Sequence, residues 1–131
     1  MVVDASVIVP FLVGRPDERE PISARLRAHR GSLWAPHLLD AEVGHAIRRL
    51  ALQKRLTTER GASALVDLID LPVRRVPHAA LLKRAWHLRT SVSFYDAQYV
   101  ALAEQLDVPL LTADGRLAKA PGTSASIELI R

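Results

Sequence analysis

Cysteine is absent from the 131 residues. That excludes a disulfide framework and thiolate chemistry, and it points to a reducing compartment, the cytoplasm. Long hydrophobic runs are missing as well. No stretch approaches the roughly 20 apolar residues needed to span a bilayer. The first twenty residues, MVVDASVIVPFLVGRPDERE, lack the basic n-region of a secretory leader, and acids interrupt them at Asp4 and again from Asp17. The expectation is a soluble intracellular protein with no membrane partner. Internal repeats, low-complexity tracts and linkers are also lacking. What is present is an apolar content of 49% over a length that suggests one domain, 1–131, with one ordinary core.

Eighteen Lys and Arg oppose fourteen Asp and Glu, a formal net charge of +4 with a sequence pI near 10.1. A basic balance favours an anionic partner such as nucleic acid or an acidic protein tail. On a small domain the same surplus also serves solubility. Charge alone therefore narrows little.

The apolar segments are of two kinds. Short β-rich runs fall at 1–3, 32–35, 73–76, 109–112 and 126–130. Helical periodicity marks 21–29, 37–54, 58–71, 79–89 and 94–106. In the second of these, Leu39, Val43, Ala46, Ile47 and Leu50 form one stripe, with Arg48 and Arg49 away from it. Strand–helix–strand alternation predicts βαβ units. The fold class expected is α/β, a three-layer α/β/α sandwich with a short central parallel sheet.

In such a unit the helix N-termini lie at the same edge as the strand C-termini, which is where open α/β sheets bind ligands. Asp4 ends the first strand and Asp114 follows the strand PLLT. Glu42 lies in the second turn of the helix after the second strand, and Asp96 in the first turn of the helix from Phe94. Four carboxylates from four remote segments are thus expected at one edge. Each has an ordinary alternative. Asp96 stands three residues after Ser93 in SFYD, a capping-box-like start that the helix dipole also favours. Asp114 in TADGRL suits a turn or an N-cap. Asp4 could cap a helix entered at SVIVPFL, although Ser6 is as good a cap. Glu42 flanks the apolar stripe on one side and Asp40 on the other, so periodicity does not choose between them.

Four neighbouring carboxylates would raise one another's pKa, and a divalent cation removes the conflict. Oxygen ligands without cysteine or a histidine pair suit Mg²⁺ or Mn²⁺ rather than zinc. With four acids committed to such a site, eighteen cations would face ten remaining anions, a surplus of eight. A basic body around an acidic pocket fits a phosphodiester chain held outside and cut inside.

The motifs VVDAS, PHLLDAEVGHAIRRL and SFYDAQYVALAEQLDVPLLTADGRL, in this order and over essentially the whole chain, resemble the PIN-domain ribonucleases. The similarity is greatest to the toxin half of VapBC-type toxin–antitoxin modules. The resemblance implies that Asp4, Glu42, Asp96 and Asp114 are the catalytic, metal-binding acids, and it chooses Glu42 over Asp40. It implies that Ser6 and Thr112 support the site. It also implies an Mg²⁺-dependent endoribonuclease that acts on RNA through metal-activated water and inhibits growth or translation. A homodimer and a VapB-like antitoxin that blocks the acidic groove complete the expectation. His45 departs from the pattern, standing where many relatives carry Asn. It could orient Glu42 or a phosphate, or be a polar residue without a role.

Two other classes remain open beside this one. A metal-dependent phosphatase or phosphotransferase could use a similar sheet, but the haloacid-dehalogenase arrangement needs a second Asp where Ser6 stands. A non-catalytic RNA-binding regulatory module would bind without metal and without cleavage. Glu42 and His45 form a lone E-x-x-H, too little for a di-iron bundle. Trp34 is expected in the core, with Trp86 a second candidate for base stacking. Arg15, Arg48, Arg49, Arg74, Arg75 and Arg116 are candidate phosphate contacts, and the remaining histidines (His29, His37, His78 and His87) lack ligand spacing.

Overall fold

Valine, isoleucine and leucine fill the short runs, and these become strands because β-branched and apolar side chains pack well on a pleated surface. The computed structural model describes residues 1–130. Its strands are β1 (Val2–Val3), β2 (Leu33–Pro36), β3 (Val73–Val76), β4 (Leu110–Thr112) and β5 (Ile127–Leu129). All pair in parallel in the order β3-β2-β1-β4-β5. Val2 lies opposite both Trp34 and Leu110, so the two-residue β1 is the middle of the sheet. Val2 and Val3 are fully buried. A strand this short persists because both its edges are paired and both its faces are covered.

The helices are α1 (Ala5–Val13), α2 (Pro16–Ala28), α3 (Leu38–Leu52), α4 (Thr58–Asp70), α5 (Leu82–His87), α6 (Phe94–Leu106) and α7 (Gly115–Ala118). The first four pack together, while α5 packs on α6. Right-handed crossovers place these two groups on opposite faces. The result is the α/β/α arrangement expected from the sequence. Leu39, Val43 and Ile47 are buried along α3, as its stripe requires, with Ala46 and Leu50 half-buried. Helix α6 buries seven consecutive residues, Ala97–Ala103, and is the central helix of its face.

Several boundaries differ from the sequence expectation. The helix expected at 21–29 begins at Pro16. Pro16 holds the first helical position, and the Glu18 carboxylate accepts from the Arg15 amide (2.8 Å). Pro21 is thus inside the helix and exposed, not at its start. The segment expected at 79–89 is helical only over Leu82–His87. Helix α1 occupies SVIVPFL with Pro10 inside it, and α7 is a four-residue turn that no periodicity could announce. Trp34 is half-buried instead of core, and the Arg74 guanidinium lies over its ring at 5.0 Å.

Candidate active site

The strand order reverses between β1 and β4: successive units run outward from β1 through β2 to β3, and the chain then returns to β4 and β5. A crevice forms at such a switch point beyond the strand C-termini. Asp4 leaves β1 there, and Thr112 and Asp114 leave β4 there.

Asp4 is 5% exposed and stands at the N-cap of α1, but its side chain makes no cap hydrogen bond. The capping alternative therefore fails. One carboxylate oxygen instead accepts from the Ser6 hydroxyl (2.6 Å) and the other from the Thr112 hydroxyl (2.6 Å). Those two hydroxyls lie 3.2 Å apart. Ser6 Oγ accepts from the Ala113 amide (2.8 Å), and Thr112 Oγ1 from the Asp114 amide (3.0 Å). Chains of this kind fix hydroxyl orientation, so Ser6 and Thr112 position Asp4 and tie the β1 end to the β4 end. Burial first, and Asp96 with it, push the Asp4 pKa up to about 6 against the opposing hydrogen bonds of Ser6 and Thr112.

Glu42 and Asp40 are separated by their partners. Asp40 is exposed and pairs with Arg75 (3.0 Å). Glu42 accepts from the Tyr99 hydroxyl (2.6 Å), and burial raises its pKa against that bond, with a further rise from Asp96. Tyr99 is 1% exposed, and its own pKa lies far above the ordinary phenol value, through burial first and then Glu42, so it remains a donor. The sequence reading missed this residue. Its signal was its place three residues after Asp96, on the same helical face.

Asp96 is half-buried in the first turn of α6, and its amide donates to Ser93 Oγ (3.1 Å), as the capping-box reading anticipated. Burial raises its pKa, Asp114 adds to the rise and Arg116 opposes it. Asp114 does cap α7, accepting from the Arg116 amide (2.9 Å) and, at 3.4 Å, from that of Leu117. The acids thus meet through Asp96, which acts electrostatically on Asp4 and Glu42 and feels Asp114. Among the described residues, no three His, Asp or Glu side chains form a group that could hold a metal ion by themselves. Carboxylate oxygens are the donors that a hard cation takes, one or two at a time, with water on its other positions.

Beside the acids opens a cleft of about 530 Å³. Glu42, His45 and Arg49 line it along α3, Tyr95 faces them from α6, and Leu38 and Ala41 add apolar surface. Of the other candidate cations, Arg15 is engaged with Asp17 and Glu18, and Arg75 with Asp40. Arg116 is 98% exposed near Asp114. His78 is structural: its Nε2 accepts from the Leu38 amide (2.9 Å) at the start of α3.

The chain belongs to the PIN domain family, whose model matches residues 1–122. Within that family its relatives include the ribonucleases VapC1 and VapC12 of Mycobacterium tuberculosis (strain ATCC 25618 / H37Rv). VapC1 is 47% identical over 131 residues, covering 99% of this chain and 97% of that protein. VapC12 is 39% identical over 130 residues, covering 99% and 98%. The crystal structure of DNA-bound VapBC from Salmonella typhimurium superposes with a TM-score of 0.72 over 97% of this chain and 95% of that one. At 16% identity that likeness concerns the fold. No helix among the described residues is long and apolar enough to cross a membrane.

Proposed function

We propose that this chain is an endoribonuclease toxin that hydrolyses RNA phosphodiester bonds with Mg²⁺, or Mn²⁺, at Asp4, Glu42, Asp96 and Asp114. The observation that carries the reading is Asp4, an acid at the end of the central strand. It is buried, both of its oxygens are held by hydroxyls, and a second acid opposes its ionisation. Burial and Asp96 both oppose the ionised carboxylate there. A cation would remove the cost. The names of the relatives at 47% and 39% identity, both ribonucleases, support the substrate class.

In this reading Ser6 and Thr112 hold Asp4 with its two oxygens fixed, and Tyr99 holds Glu42. Asp96, which acts electrostatically on Asp4 and Glu42 and feels Asp114, adds negative charge beside them. When bound, the cation supplies an activated water and neutralises charge on the scissile phosphate. In this reading no side chain serves as nucleophile. A VapB-like antitoxin and a second copy of the chain are the proposed protein partners. Exposed apolar residues support such contacts: Leu65 and Ile69 on α4, and Leu82 and Trp86 on α5, each pair four residues apart.

The test incubates the purified chain with mixed-sequence single-stranded RNA, with Mg²⁺ or with EDTA, beside a phosphomonoester control. Cleavage with Mg²⁺ alone is expected. Asp96→Asn should lower it by more than roughly 100-fold, beyond what loss of a supporting partner costs. Cleavage undiminished by EDTA, full activity in Asp96→Asn, or hydrolysis of the phosphomonoester in place of RNA would overturn the assignment.

A further inference from the structure

The cleft beside the acids has a graded chemistry along one helix face. Glu42, His45 and Arg49 recur at i, i+3 and i+7 on α3, so they lie in line over two turns, about 10 Å. The line begins at a residue of the acidic site and ends at a guanidinium. Opposite it stands Tyr95, 63% exposed and adjacent in sequence to Asp96. In a chain whose aromatic content is 5%, a tyrosine ring left open to solvent at the rim of the site is a flat apolar surface without a partner. Leu38 and Ala41 extend that surface into the cleft.

We propose that this cleft is a nucleotide subsite, in which the base flanking the scissile bond stacks on Tyr95 and the phosphate beyond it is held by Arg49. The inference rests on the ribonuclease reading above and adds how the chain grips its substrate. Sequence-tolerant binding of single strands combines such parts: an aromatic face for the base and a cation for the backbone. His45 stands between them, one turn from each end, where a donor can meet sugar or phosphate oxygen. The order of charges favours RNA over a basic protein tail, because Arg49 would repel the tail at the outer end while attracting a phosphate.

The test compares wild type, Tyr95→Ala, Tyr95→Phe and Arg49→Ala, all full-length. Binding of a fluorescent mixed-sequence RNA hexamer is read by anisotropy in EDTA, so that affinity is measured without cleavage; KM and kcat are then read with Mg²⁺. Tyr95→Ala should weaken binding and raise KM by roughly 5- to 150-fold, the range for loss of one stacked base, with kcat little changed. Tyr95→Phe should restore wild-type affinity, because the ring and not the hydroxyl provides the stack. Arg49→Ala should reduce the slope of log affinity against log salt by about 1. Equal RNA affinity and salt slope in all four proteins would overturn the subsite and leave the cleft to a protein tail. If the wild type binds RNA with these differences but never cuts it, the ribonuclease reading fails and the subsite stands.

Discussion

Asp4 and Asp40 show what decides the role of an acid: the groups that hold it. Asp40 meets a guanidinium and stays outside, while Asp4 meets two hydroxyls and the charge of one other acid, Asp96, inside. The sequence made Asp4 legible because an acid directly after an apolar strand is costly, Asp114 because it directly follows the strand PLLT, and Asp96 through its position at a helix start. Ser93 and Asp114 do cap their helices, so two ordinary readings were correct about geometry without excluding proximity to the site. Tyr99 was missed because its partner Glu42 lies 57 residues away, and its place three residues after Asp96 does not by itself tell a core tyrosine from one that holds a carboxylate. Its role gives a prediction at this scale. Tyr99→Phe keeps the ring and removes the donor to Glu42, and outer partners of metal-holding carboxylates typically contribute 10- to 100-fold in metal affinity or activity. The Mg²⁺ concentration for half-maximal RNA cleavage should rise by roughly that range, with the circular dichroism spectrum unchanged. An unaltered Mg²⁺ midpoint would reduce Tyr99 to packing.

Elements were read well where periodicity or β-rich composition was strong and poorly where proline intervened. Pro21 resembled a helix start, yet it sits inside α2, and the actual start at Pro16 depends on the reach of Glu18 back to the Arg15 amide. The elbow between α1 and α2 turns on Gly14. A Cβ there would lie 2.4 Å from the Pro10 carbonyl oxygen and 2.8 Å from a Glu18 carboxylate oxygen. Its φ of −76° is ordinary, so the requirement is close approach and not a left-handed conformation. Glu18 is a movable side chain, but the Pro10 carbonyl is backbone at the end of a helix packed on α3 and α4. Gly14→Ala should therefore destabilise the fold by roughly 1–3 kcal/mol, the range for overpacking. Thermal unfolding reads this as a fall of several degrees. A melting temperature at or above the wild type would show that α1 can shift without loss.

At the scale of the whole molecule, alternation of strands and helices foretold a parallel sheet but not its order. The order β3-β2-β1-β4-β5 makes β1 the hinge of the switch point, and β1 takes its place by pairing with segments some thirty and some hundred residues away. It brings a buried acid, Asp4, close enough to the half-buried Asp96 to feel its charge, and stability should register the conflict. Asp4 titrates near 3.8 when exposed and at about 6 in the fold. Between those values the native state binds more protons than the unfolded chain, so stability falls as pH rises through that window and stays lowered above it. A difference of about two pH units corresponds to roughly 3 kcal/mol. In EDTA, the stability of wild type should decline relative to Asp4→Asn from pH 4 to pH 7 by about that amount, measured by urea unfolding. Mg²⁺ at neutral pH should restore much of the loss in wild type, because a cation that binds only the folded, ionised site stabilises it by mass action. It should do little for Asp4→Asn. A pH-independent difference between the two proteins would show that Asp4 stays ionised throughout, held by Ser6 and Thr112 more strongly than burial opposes it. Equal stabilisation of both by Mg²⁺ would remove Asp4 from the cation's ligands.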